Sequence, residues 1–154
     1  MFSQYIINRY TSALASHFHN GYEYTQVLEG NETFIVAQSP DYIVNESFLH
    51  NGSTLDGAIE AARYHLKKKN KLPVVLSAQH HITLIRCPSF DKSGTVWLVH
   101  SHIHSIETDP NHYNKTIVHT NNGHSFTIDM KLSILQTKRT QASFLHSTFL
   151  KTQR

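Results

Sequence analysis

Between residues 47 and 75 the chain leaves the two-residue alternation of strands for a helical period, so it must place a helical layer against a sheet. Leu55, Ala58, Ile59, Ala62 and Leu66 fall at offsets of 3, 4, 7 and 11, one apolar stripe of an α-helix. The spacing predicts a helix over residues 54–69 with Ser53 as its N-cap. Asp56 and Glu60 lie in its first turns and Lys67, Lys68 and Lys69 in its last, so charge follows the helix dipole. Just upstream, Ser39-Pro40 supplies a cap and an N1 proline, and Asn51-Gly52 supplies a stop. A shorter helix over residues 40–50 therefore precedes the longer one.

The flanking sequence reads as strands. β-rich runs occupy residues 5–7, 11–18, 22–28 and 33–37, with turns at His19-Asn20-Gly21 and Glu29-Gly30-Asn31. Leu72-Pro73 ends the helical region, because proline disfavours α geometry in the residue before it. Residues 74–77 and 82–87 are expected to pair across Gln79-His80-His81, and residues 95–106 read as the longest strand, anchored in the core by Trp97. Residues 116–120 and 125–129 pair across Asn121-Asn122-Gly123, and residues 133–150 read as a helix. On that helix Leu135, Ala142 and Phe149 share a stripe with Leu145 at its edge, but Lys138 and Arg139 fall on the stripe too. Either these side chains snorkel out of the core, or this face meets an anion. No repeat or linker divides the chain. The expected fold is one α+β domain over residues 1–154, an antiparallel β-sheet with two consecutive central helices and a C-terminal helix.

Charge is segregated along this framework. Arg63, Lys67, Lys68, Lys69 and Lys71 follow one another with no acid between, and from residue 130 onward Lys131, Lys138, Arg139, Lys151 and Arg154 do the same. The two blocks hold ten of the fourteen Lys and Arg, leaving four against all eleven acids. The net charge of +3 thus conceals two cationic segments of the kind that suits a polyanion. The first block alone is what solvated lysines at a helix end look like; the second is what makes a shared surface worth expecting. No apolar run approaches the roughly twenty residues of a membrane span, and the N-terminus has no signal-peptide pattern, so the expectation is a cytoplasmic protein with no membrane partner.

Catalytic signals are sparse. The single cysteine, Cys87, lies in an apolar run and reads as a buried thiol. Nucleophile-elbow, P-loop and dinucleotide glycine patterns are all missing, so no enzyme activity and no cofactor are expected. One alternative arises from thirteen histidines. His100, His102 and His104 alternate along the expected strand, which sends them to one sheet face, and with Gly94 and Glu107 they resemble the first half of the cupin metal motif. That reading makes His100, His102 and Glu107 metal ligands of an enzyme. Its closing glycine is replaced by Asn114, and no second motif follows.

A wider resemblance rests on Ser47-Phe48, Asn51-Gly52-Ser53, Gly57, Ala61, Lys71-Leu72-Pro73-Val74, residues 82–88, Trp97-Leu98-Val99, His102-Ile103 and Asn122-Gly123 before the closing helix. In this order and spacing, from about residue 4 to 149, the chain resembles the ComK family of bacterial competence transcription factors. The resemblance implies a sequence-specific activator that recognises paired A-run and T-run boxes of double-stranded promoter DNA, chiefly through the minor groove. It also implies a homo-oligomer, a dimer or dimer of dimers, with RNA polymerase as a further partner. The DNA-binding candidates, chosen by charge and helix position, are Arg63, Lys67, Lys68, Lys69, Lys71, Lys138 and Arg139. Better-known relatives carry a longer C-terminal tail that an adaptor reads for proteolysis, whereas this sequence stops at Arg154. Adaptor-driven degradation through that tail is not expected here, and a regulatory partner that does not itself bind DNA is a third reading.

Overall fold

The computed structural model describes residues 1–152. Arg154, counted above in the second basic block, lies outside the described residues. Six strands, β1 (Thr11–His19), β2 (Tyr22–Glu29), β3 (Glu32–Val36), β4 (Val74–Ser77), β5 (Ile82–Pro88) and β6 (Thr95–Val99), form an antiparallel sheet in the order β3-β2-β1-β6-β5-β4. A second antiparallel sheet holds β7 (Ile103–Asp109), β8 (His112–Thr120) and β9 (Ser125–Ile128). Three helices complete the domain: α1 (Pro40–His50), α2 (Leu55–Leu66) and α3 (Leu132–Thr152).

The two faces of the large sheet carry two separate cores. Leu14, Val27, Val36, Leu84, Trp97 and Val99 meet Ile43, Val44 and Phe48 of α1, with Leu55, Ala58 and Ile59 of α2 packed alongside. Their strand neighbours Ala13, Leu28, Ile85, Val96 and Leu98 point the other way, against Ile103, Val118 and Ile128 of the small sheet and Leu135 and Ala142 of α3. Period-two alternation therefore builds a three-layer α+β domain, with central strands buried on both faces.

Several expectations are met in detail. Ser39 caps α1 by accepting from the Tyr42 N–H, Pro40 sits in its first turn, and Gly52 beyond it takes a φ of 79°. The β1–β2 hairpin turns on Asn20 and Gly21, both at positive φ (51° and 81°), the geometry of a two-residue turn that matches strand twist. Leu135, Ala142 and Leu145 are fully buried, so the stripe on α3 faces the core as its period requires.

Other expectations need correction. The cap of α2 is Thr54, whose hydroxyl accepts from the Gly57 N–H at 3.0 Å, and not Ser53. The helix ends at Leu66 rather than at residue 69: Lys67 adopts the left-handed conformation at φ 56° and bonds back to the Arg63 carbonyl. The reason is tertiary. Lysines propagate a helix well, but the chain must turn to bring Pro73 into the core and Val74 into an edge strand, and residues 67–71 make that turn. Residues 5–7 form no strand. Ile7 is buried and its N–H is answered by the Ser47 hydroxyl of α1 at 3.0 Å instead of by a ladder. Residues 95–106 are not one strand either, because a 3₁₀ turn at His100–His102 lifts the chain from the large sheet into the small one.

Candidate nucleic-acid interface

The turn after α2 brings Lys68 and Lys71 of the first basic block against Lys138 of the second. Its residues fold against the first half of α3, and a cleft of about 340 Å³ opens between them with Lys68 and Lys71 on one wall and Lys138 on the other. Asn70, Thr137 and Gln141 add polar groups to the lining. The Lys138 ammonium donates a hydrogen bond to the Lys71 carbonyl, so its stem crosses the core stripe while its charge emerges at the cleft. Burial, and after it the neighbouring Lys71 charge, lowers the Lys138 pKa; the buried Cys87 works in the other direction. An ammonium has three donors, and the bond to Lys71 uses one of them.

The remaining candidates divide between two places. Arg63, exposed near the end of α2, uses its Nε–H to bind the Lys69 carbonyl at 2.7 Å, which ties the turn to the helix. Lys67 stands 5.8 Å from the centre of the Tyr64 ring, and Lys69 is exposed beside it. Arg139 is different. It is partly buried, and its charge is among the causes that hold His100 below the ordinary histidine value, after burial itself. The structure therefore gathers Lys68, Lys71 and Lys138 into one cleft, sets Arg63 in the last turn of α2 with Lys67 and Lys69 on the turn that follows, and leaves Arg139 out of the cleft lining.

Among the described residues, none of Arg63, Lys67, Lys68, Lys69, Lys71 and Lys138 forms an ion pair, although Asp56 and Glu60 stand earlier on α2. α3 contains no acidic residue, and the ion-paired carboxylates lie on other elements: Asp41 with Arg86, Asp129 with Lys92 and Lys115, Asp109 with His112, Glu107 with His119. Sequence reasoning missed the polar lining. Ser133, Thr137 and Gln141 recur every four residues on a helix it had already assigned, and that spacing was the available signal.

The histidine alternative does not survive the break in the strand. His100–His102 form a 3₁₀ turn, so these residues do not alternate on one sheet face. The Nε2–H of His102 donates to the Arg9 carbonyl at 2.7 Å, and Glu107 binds His119 at 2.7 Å. Among the described residues no three His, Cys, Asp or Glu side chains converge in a way that would hold a metal ion.

An α+β domain with an uncompensated cationic cleft has the physical character of a surface made for a polyanion. Comparison with known families gives the particular class: the family described as ComK protein matches residues 2–154, essentially the whole chain. The chain belongs to the ComK family, a family of competence transcription factors. No curated protein and no solved structure matches it. No described helix is long and apolar enough to cross a membrane.

Proposed function

We propose that this protein is a sequence-specific activator of competence or DNA-uptake genes, acting in the cytoplasm as a homo-oligomer on AT-rich promoter DNA and presenting RNA polymerase with a DNA-bound partner. Family membership over residues 2–154 is the observation that carries this reading. The lysine cleft supports a location for it. Lys68 and Lys71, both exposed, meet backbone phosphates, while Lys138 holds the Lys71 main chain in place and adds its field. Arg63 is the groove reader of choice. Its guanidinium is exposed, is more weakly hydrated than an ammonium, and sits beside the cleft, where the narrow, strongly negative minor groove of an A-tract attracts it. Arg139, partly buried and absent from the cleft lining, supports α3 rather than reading bases.

The test is binding to an A-run/T-run duplex and to a GC-rich duplex of equal length at two salt concentrations. The expected result is tighter binding to the A-run/T-run duplex at both salts, with a log-log salt slope of roughly one per phosphate contact. Equal binding to the two duplexes removes sequence reading. No binding to either would make the protein a regulatory partner that acts without touching DNA.

A further inference from the structure

On the flank of α3 away from the lysine cleft, two histidines from distant parts of the chain meet ring to ring. His81, at a φ of 59° in the β4–β5 turn, places its Nδ1 3.0 Å from Nε2 of His146, with ring centres 4.9 Å apart. At that distance one nitrogen donates and the other accepts, so the pair holds a single proton between them. A doubly protonated pair would set N–H against N–H and charge against charge. The contact exists only while at least one ring is neutral.

The surroundings offer the second proton no compensation. His100, in the 3₁₀ turn, has its Nε2 3.4 Å from the Ser143 hydroxyl, and its buried Nδ1 has no partner. The other ring nitrogen of His146 and the Nε of Arg139 are likewise buried without partners. The groups facing the pair are Arg139 from α3, His100 from the 3₁₀ turn, and His80 beside His81 on the hairpin. Arg9 from the N-terminal segment lines a cleft of about 600 Å³ with His80, His81 and Ser101. Farther along α3, His65 of α2 lies edge-on to Phe149; beneath it, the β5 thiol of Cys87 is pushed up to about 12 by burial. Among the described residues no carboxylate forms an ion pair with any of them. By contrast His112 and His119, on β8, each have a carboxylate beside them, Asp109 and Glu107.

We propose that the His81–His146 pair is a proton-operated latch: while it shares one proton it ties α3 to the β4–β5 turn, and when both rings are protonated it releases the helix. The charge balance runs in the same direction. Burial, followed by Arg139 and His146, lowers the pKa of His100; burial, followed by His81, lowers that of His146. A base whose value falls on folding binds more protons when unfolded. Its contribution to stability is therefore complete above the ordinary histidine value of 6.5 and declines as pH drops below it. Because Lys138 on the same helix forms one wall of the lysine cleft, release of α3 would also dismantle that cleft; this last consequence rests on the DNA reading, and the latch does not.

Amide hydrogen exchange of the full chain, corrected for intrinsic rates, tests the latch between about pH 7.5 and 5.5. Leu145 and His146 on α3 should lose at least about tenfold in protection relative to Leu84 and Val99 in the central strands, and His146→Gln should flatten that dependence. Protection on α3 that follows the central strands at every pH, or the same dependence in His146→Gln, overturns the proposal. If His146→Gln does not fold, His81→Gln on the exposed turn takes its place. The unaltered protein also decides alone: by NMR the hydrogen bond between His81 and His146 must vanish as α3 protection falls, and a bond that persists while protection falls sinks the idea. Neither measurement uses DNA, so the latch and the DNA reading fail separately.

Discussion

The indole N–H of Trp97 donates to the carboxylate of Asp41 at 2.8 Å, joining the strand beside the centre of the large sheet to the first turn of α1. The same carboxylate accepts two hydrogen bonds from Arg86, at 3.2 and 2.9 Å. One side chain on α1 thus satisfies a buried donor and fixes the helix across β5 and β6. Trp97 is only 5 % exposed, so Trp97→Ala should destabilise the fold by about 3–5 kcal/mol through lost burial and a cavity. Urea denaturation measures that loss. A native fluorescence maximum at the wavelength of a fully hydrated indole would contradict the placement.

Asp41 itself gives a graded prediction. Asp41→Asn keeps an oxygen for the indole and loses only an ion pair whose partners are both more than half exposed, so a loss of at most about 1 kcal/mol is expected. Asp41→Ala leaves the indole N–H unpaired and should cost about 1–3 kcal/mol. Burial alone would raise the Asp41 pKa, but the bonds from Arg86 and Trp97 outweigh it and hold the carboxyl below its ordinary 3.8. Its contribution is therefore present above that value and disappears as pH falls below it. Equal stability of Asp41→Ala and wild type at neutral pH would show that the contact does nothing.

Gly94 provides a steric test at the β5–β6 connection. A Cβ there would lie 2.4 Å from the Ser16 Cβ, and the Ser16 hydroxyl accepts from the Thr95 N–H at 2.8 Å. Gly94→Ala should cost about 1–3 kcal/mol by overpacking this junction. Thermal denaturation indistinguishable from wild type would mean that β1 yields easily at this point.

Much of the framework was legible because its signals are local. Ser39, Pro40 and Gly52 state the ends of α1 directly, and the offsets of Leu135, Ala142 and Leu145 state the core face of α3. The misreadings share a different cause. The strand-like run over residues 95–106 contains no glycine or proline, so no breaker announces the corner at His100–His102; the corner exists because Ile103 is buried in the second layer. Likewise the lysines after Leu66 favour helix, and only the position of β4 stops it. The cleft was the least legible feature. Lys71 and Lys138 are 67 residues apart, and charge alone could not separate Lys138, which joins the cleft, from its neighbour Arg139, which does not.

Lys138 can be divided into its stem and its charge. Lys138→Met retains a flexible apolar stem and removes the bond to the Lys71 carbonyl, and should lower stability by about 0.5–1.5 kcal/mol. Lys138→Ala should lower it further, because the stem is buried. Equal losses for the two variants would show that the stem contributes nothing to the α3 core.

In the proposed function, DNA binds at the cleft between the α2–β4 turn and α3. Lys68 and Lys71 are exposed, and neither side chain belongs to the core, so Lys68→Glu with Lys71→Glu alters the charge of the cleft with little effect on the fold. The deciding measurement is the affinity of this double variant for an A-run/T-run duplex at moderate salt, with folding checked by circular dichroism. The account predicts a loss of at least about tenfold and a log-log salt slope reduced by roughly two. Affinity and slope unchanged from wild type in a folded double variant would contradict it.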